Sequence, residues 1–236
     1  MERAFLKHCN DNNLQGVNDC LKDFNETLSK GLMTNDCLKD FNETQSKGLM
    51  IACDYGNSDI VSRLVQVSGL DINYENESGY TAAHLASFAG HTECVRILAE
   101  TGRVDWNWTS IVGETPLCDA LREDHSDIVD IIVQQPNIDY NVKTVLYGTL
   151  GQVAVWRGYV KCVEILAAQE RCQCWNVPDW RGDTPIMWAL KRDKTEIVEI
   201  LLRCPRVDVS CRDREGWSLV FRAIQRNKLG EKMSRC

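Results

Sequence analysis

The chain has 236 residues, 44% of them hydrophobic and 26% charged, a balance that excludes disorder over most of its length. Its formal net charge of −7 argues against nucleic acid as a main ligand. The acidity lies in the first half: residues 1–118 carry 9 Lys+Arg against 17 Asp+Glu, and residues 119–236 carry 18 against 17. The opening MERAFLKHCNDNN has no apolar stretch of the secretory type, and no uncharged run approaches the roughly 20 residues that span a bilayer. A cytoplasmic or nuclear protein with no membrane insertion is therefore expected. In that setting the twelve cysteines should stay reduced, and the sequons at Asn25, Asn42, Asn76 and Asn107 should go unused.

In chain order, residues 1–24 read as a helix pair capping whatever follows. Next, NDCLKDFNETLSKGLM (18–33) is repeated as NDCLKDFNETQSKGLM (35–50), identical at 15 of 16 positions. The second GLM is in register to open the helix before Gly56. The remainder, 25–46, is expected to be an inserted loop or short helix that bulges out. Residues 47–229 form the repeated region, and 230–236 form a tail.

Three series of markers define the repeat. Tip positions fall at Gly79, Gly113, Tyr147, Gly182 and Gly216, in steps of 34, 34, 35 and 34 residues. Turns between helices fall at Gly56, Gly90, Asp124, Gly158, Asp193 and Asn227, in steps of 34, 34, 34, 35 and 34. A third series runs Asp71, Asp105, Asp139, Cys174 and Asp208. One extra residue lies in the Ala167–Cys174 loop. Within each unit Thr81, Thr115, Thr149, Thr184 or Ser218 stands where a helix N-cap is needed. Pro116 and Pro185 follow in the first turn, where no N–H is missed. A small residue recurs at Ala86, Ala120, Ala154, Ala189 and Ala223, allowing close approach of neighbouring helices. One such unit cannot hide its apolar face alone, whereas stacked units can.

The segments ETPLCDA (114–120), DTPIMWA (183–189) and YTAAHLA (80–86), with their spacing, resemble the ankyrin repeat over about residues 46–228. The resemblance implies an all-α solenoid of helix-turn-helix units joined by short hairpin tips. The unit at 147–170 departs most from the pattern, and a distorted tip is expected there. The resemblance also implies a protein-interaction module, an adaptor or scaffold, that meets a partner protein with its tips and first-helix ends. By register the candidate contact residues are Tyr80, Phe88, Ile111, Val112, Val145, Leu146, Trp156, Trp180, Arg181, Arg212, Arg214 and Trp217. Apolar and Arg side chains there depart from the polar tips expected of solvated hairpins. A substrate-recruiting or regulatory subunit of a ubiquitin ligase or phosphatase is the alternative.

No phosphate-binding glycine loop, nucleophile elbow or H-E-x-x-H occurs, so no catalytic residue, cofactor or small-molecule substrate is expected. His84 falls at the family's T-x-x-H position, which implies a structural hydrogen bond. Cys94 and Cys162 share a slot with Ile60, Ile128 and Ile197 and read as core residues. Cys172 and Cys174 are the one tight pair, too few for zinc, so no metal is expected. Trp106, Tyr140 and Trp175 share a slot with Ile72 and Val209 and should pack inward.

Overall fold

The computed structural model describes residues 2–30, 35–144 and 148–225. The helices run α1 (Glu2–Asn10), α2 (Leu14–Ser29), α3 (Asn35–Asp54), α4 (Ser58–Leu64), α5 (Ala82–Ala89), α6 (Thr92–Glu100), α7 (Pro116–Arg122) and α8 (Ser126–Val133). Strands β1 (Lys143–Thr144) and β2 (Gly148–Thr149) then precede α9 (Leu150–Arg157), α10 (Val160–Ala168), α11 (Pro185–Lys191) and α12 (Thr195–Arg203). Residues 219–225 are helical as well.

The helices stand in pairs, and the pairs stack. First helices follow one another as α1, α3, α5, α7, α9 and α11, each packed on the next, while α2, α4, α6, α8, α10 and α12 form a parallel second row. A single apolar core runs the length of the stack. The residues that build it recur by register: Ile60, Cys94, Ile128, Cys162 and Ile197 are all 0–1% exposed on the second helices. Ala86, Ala120, Ala154 and Ala189 are fully buried where first helices meet. The architecture is an all-α repeat solenoid, as the periodicity predicts. Among the described residues no helix is long and apolar enough to cross a membrane.

The markers earn their positions through backbone geometry. Gly56, Gly90, Asp124, Gly158 and Asp193 all have φ between 61° and 84°, the left-handed turn that reverses the chain between paired helices. At Gly90 a side chain would also collide with the His125 ring of the next unit. His91 and His125 each place Nε2 on a backbone oxygen of the preceding unit, Asp54 O at 3.0 Å and Phe88 O at 3.2 Å. The V-D-x-N stretches are also cross-links. Asn107 donates from Nδ2 to Asn137 O (2.9 Å) and accepts the Asp139 N–H on Oδ1 (2.9 Å). Asn73 and Asn176 repeat this pair of bonds one unit apart each time. Asn141 faces the unit lengthened by one residue, and among the described residues it makes no such bridge.

Trp106, Tyr140 and Trp175 are 6%, 5% and 0% exposed, so this aromatic series is core. The Cys172 and Cys174 thiols lie 2.8 Å apart, both buried.

Of the loop or short helix expected to bulge out over 25–46, the described residues are helical and pack into the stack. Residues 25–29 complete α2, and 35–46 form the first three turns of α3, a 20-residue helix. Leu38, Phe41, Gln45 and Leu49 recur at helical spacing, which puts them on one stripe. Phe41, Gln45 and Leu49 are buried. Phe24 and Phe41, the same residue in the two copies, stack with centroids 3.4 Å apart and planes 10° from parallel. The extension of α3 also holds the following segment: Ser46 Oγ accepts the Asp71 N–H (3.1 Å), and Tyr74 donates its hydroxyl to Glu43 Oε1 (3.3 Å). The capping pair therefore ends at Ser29 rather than residue 24. The 230–236 tail and Asn227 lie outside the described residues.

Candidate partner-binding groove

Three hairpin tips are organised by one polar side chain five positions before the N-cap. Asn76 Oδ1 accepts the N–H groups of Ser78 and Tyr80 at 2.9 and 3.1 Å. Asp179 does so for Arg181 and Asp183 at 2.8 and 2.9 Å, and Asp213 for Glu215 and Trp217, both at 3.0 Å. This turn throws the next residue outward. Ile111 and Trp180 stand there, 75% and 80% exposed. The tip glycine then closes the turn with positive φ at Gly79, Gly113, Gly182 and Gly216.

The tip of the 149 unit is built differently. Gly148, one residue after the expected tip position Tyr147, takes φ +77°. Here β1 and β2 pair antiparallel, with Thr144 opposite Gly148 as well as Lys143 opposite Thr149. In the units of Thr81 and Ser218 only the outer bridge, Glu75 to Thr81 and Arg212 to Ser218, is present. Tyr147, Val145 and Leu146 lie outside the described residues.

Behind the tips, the residue just before each N-cap faces the end of the first helix. Glu114 is 2% exposed and takes Arg122 at 2.7 Å. Arg122 also holds Asp119 (3.1 Å) and Glu123 (3.2 Å) and lies over the Phe88 ring, 5.0 Å from its centroid. Burial pushes the Asp119 carboxyl up to about 8, against the pull of Arg122. In the 184 unit Asp183 takes Lys191 at 2.6 Å, and Lys191 reaches on to Asp213 at 3.2 Å. Burial alone would lower the Lys191 ammonium, but its bonds to the two carboxylates outweigh that and raise it. Asp213 in turn holds Arg222 at 2.7 Å.

The unit between these two has neither charge. Gly148 stands in the slot of Glu114 and Asp183, and Trp156 in the slot of Arg122 and Lys191. No ion pair closes the gap, and a groove of ≈490 Å³ opens there. Its walls include Gly148, Val155, Trp156, Pro178, Trp180, Pro185 and Trp188, and its rim carries Lys143, Arg181 and Arg192. The Arg181 guanidinium lies 4.4 Å from the Trp180 ring centroid, and that of Arg192 lies 5.4 Å from Trp188. Gln152 joins the two sides: Oε1 accepts the Thr149 N–H (2.8 Å), and Nε2 donates to Val177 O (3.0 Å).

His84 performs the same bridging task two units earlier. Its Nδ1 accepts the Thr81 N–H (3.2 Å), so Nε2 carries the proton it gives to Glu114 O (3.0 Å). It is fully buried, and that burial lowers its pKa to about 4. The implied structural hydrogen bond is present.

Of the residues expected at a contact face, the structure gathers Trp156, Trp180 and Arg181 around the groove. Phe88 lies under Arg122, half-buried Tyr80 meets His84 edge-on with centroids 5.5 Å apart, and half-buried Val112 follows exposed Ile111. Arg212, Arg214 and Trp217 sit outside the groove. Trp217 stacks on Phe221 with centroids 3.9 Å apart and donates to Glu215 Oε2 (3.1 Å). Arg212 donates to Gly216 O (2.9 Å). Trp188 escaped the sequence reading because it sits mid-helix between Met187 and Ala189. Its slot gives a mixed signal: the same position holds Leu85 and Val153 as well as Asp119 and Arg222.

Residues 49–144 and 152–231 match the family model described as ankyrin repeats (3 copies). No curated protein matches the chain.

Proposed function

The chain belongs to the ankyrin-repeat family, whose arrays are generic protein-protein interaction modules, and we propose that it works as an adaptor or scaffold, binding rather than catalysing. The partner protein meets the face made by the hairpin tips and first-helix ends. The observation that carries this reading is the groove over Gly148, where a charge pair that closes the neighbouring units is replaced by glycine and tryptophan. Large apolar side chains exposed at register positions support it: Ile111, Trp156 and Trp180 are 75%, 52% and 80% exposed. Trp and Arg are the side chains that most often anchor interfaces.

The test is capture of partners by the full chain, followed by cross-linking and mass spectrometry. The expected footprint lies on the tips and first helices between Ile111 and Arg192. A footprint confined to the second helices α4, α6, α8, α10 and α12 would reject the proposal.

A further inference from the structure

The groove has a chemistry of its own. Two acidic residues line it, and both are committed internally. Asp179 accepts two backbone N–H groups of its own turn, and buried Asp183 holds Lys191. The cations at the rim are uncommitted by comparison: among the described residues Lys143, Arg181 and Arg192 make no ion pair. Arg181 and Arg192 instead lie against indole rings, which leaves their guanidinium edges open to acceptors. An apolar floor ringed by three cations is complementary to an apolar side chain flanked by carboxylates.

We propose that this groove recognises an acidic linear segment of the partner, seating one large apolar or aromatic side chain against Gly148, Trp156 and Trp188 and its neighbouring carboxylates on Lys143, Arg181 and Arg192. The proposal rests on the binding reading above and narrows it to one class of ligand. Single-stranded nucleic acid also suits cations beside aromatic rings. It is the less favoured occupant because the chain as a whole carries a net charge of −7.

Gly148 is a requirement of the site. Its φ is +77°, and a Cβ there would run into Gln152 Oε1, so the missing acid cannot simply be restored. Trp156→Lys is the informative change, because the same slot holds Arg122 and Lys191 in folded sister units. Arg181→Glu with Arg192→Glu reverses two exposed rim charges. Arg96→Glu with Arg203→Glu, on the second helices α6 and α12, alters net charge equally and serves as the control.

The experiment pans a random 12-residue phage library against the full chain, then measures synthetic versions of the enriched peptides by fluorescence anisotropy. Enriched peptides should carry Asp or Glu on both sides of a Trp, Phe or Leu. Their affinity should fall at least tenfold with either groove variant, stay unchanged in the control, and weaken as NaCl rises from 50 to 300 mM. Circular dichroism melts check that the variants fold. Failure to enrich acidic peptides, equal binding by the groove variants, or tighter binding to a thymidine 20-mer displaced by the same variants would overturn the proposal. If the cross-linked partner still maps to the tips, only this inference fails; if it maps to the second helices, the broader reading fails as well.

Discussion

His84 makes stability depend on pH in a way that can be isolated by one substitution. The imidazole is fully buried and neutral, with Nδ1 accepting from Thr81 and Nε2 donating to Glu114 O. Protonation would place a second proton on Nδ1, destroy the first bond and leave a charge in the core. Burial accordingly lowers the pKa from 6.5 to about 4. Between those values the unfolded chain holds more protons on this residue than the folded protein, so acidification favours unfolding. Linkage with these two pKa values gives a loss of about 2.5 kcal/mol between pH 7.5 and pH 4.5. Gln152 shows how to remove the titration while keeping the bridge, since in the same slot of the 149 unit it accepts the N-cap N–H and donates to another backbone oxygen of the next unit, Val177 O. His84→Gln should therefore cost less than about 1 kcal/mol at pH 7.5. It should lose about 2.5 kcal/mol less than wild type on moving to pH 4.5. Urea unfolding at both pH values, followed by circular dichroism, gives the four free energies. Asp119 titrates in the opposite sense across this range, but it does so in both proteins and cancels in the difference. An identical pH dependence in variant and wild type would refute the reasoning.

Three further outcomes follow from single side chains. Gln45 is 1% exposed and neither amide atom has a partner among the described residues, whereas its twin in the other copy is Leu28, so Gln45→Leu should raise stability by about 1–3 kcal/mol in urea unfolding. Burial raises Asp119 from 3.8 to about 8, so the folded protein holds the extra proton there and its stability falls as pH rises through that range. Asp119→Asn should flatten that fall, gaining at least about 1 kcal/mol over wild type at pH 8.5 and little at pH 4, as measured by thermal melts. Asn107→Ala removes two bonds between units and should cost about 1–2 kcal/mol, while Asn141→Ala, with no equivalent bridge among the described residues, should stay within about 0.5 kcal/mol.

Much of the fold is legible because a stacked unit forces the same geometry on the same slot. The turn series was found by spacing alone, and every described member of it has positive φ, whether it is Gly56 or Asp193. Core slots were recognised by comparing residues across units, which is how Cys94 and Cys162 could be read as substitutes for Ile128. The α3 extension was missed because it lies outside the period. Nothing in the repeats says what Asn35–Lys47 should do, so the duplicated segment reads as an insertion. Trp188 and the grouping of the groove residues were missed for a different reason. Register tells which residues share a slot but not which slots of adjacent units face each other. Arg212 and Trp217 match the tips of other units in slot, yet their own tip engages them internally through Gly216, Glu215 and Phe221.

That missing relation is nevertheless written in the chain, in how two slots vary together. The residue before the N-cap and the residue at the first-helix end read Tyr80 with Phe88, Glu114 with Arg122, Gly148 with Trp156, Asp183 with Lys191, and Trp217 with Gln225. In the first four, aromatic accompanies aromatic, acid accompanies base, and the smallest residue accompanies the largest. Two of these pairs are in direct contact at 2.7 and 2.6 Å, which establishes that the slots face one another. The third pair has no charge, and removing charge in one partner alone would leave a buried acid or base without its counter-ion, at a cost of several kcal/mol. A paired replacement avoids that cost and leaves space where the neighbours have none. In a repeat array the units supply the comparison that homologues would otherwise provide, and the matched slots at Gly148 and Trp156, which change chemistry together, are why the proposed groove is placed there.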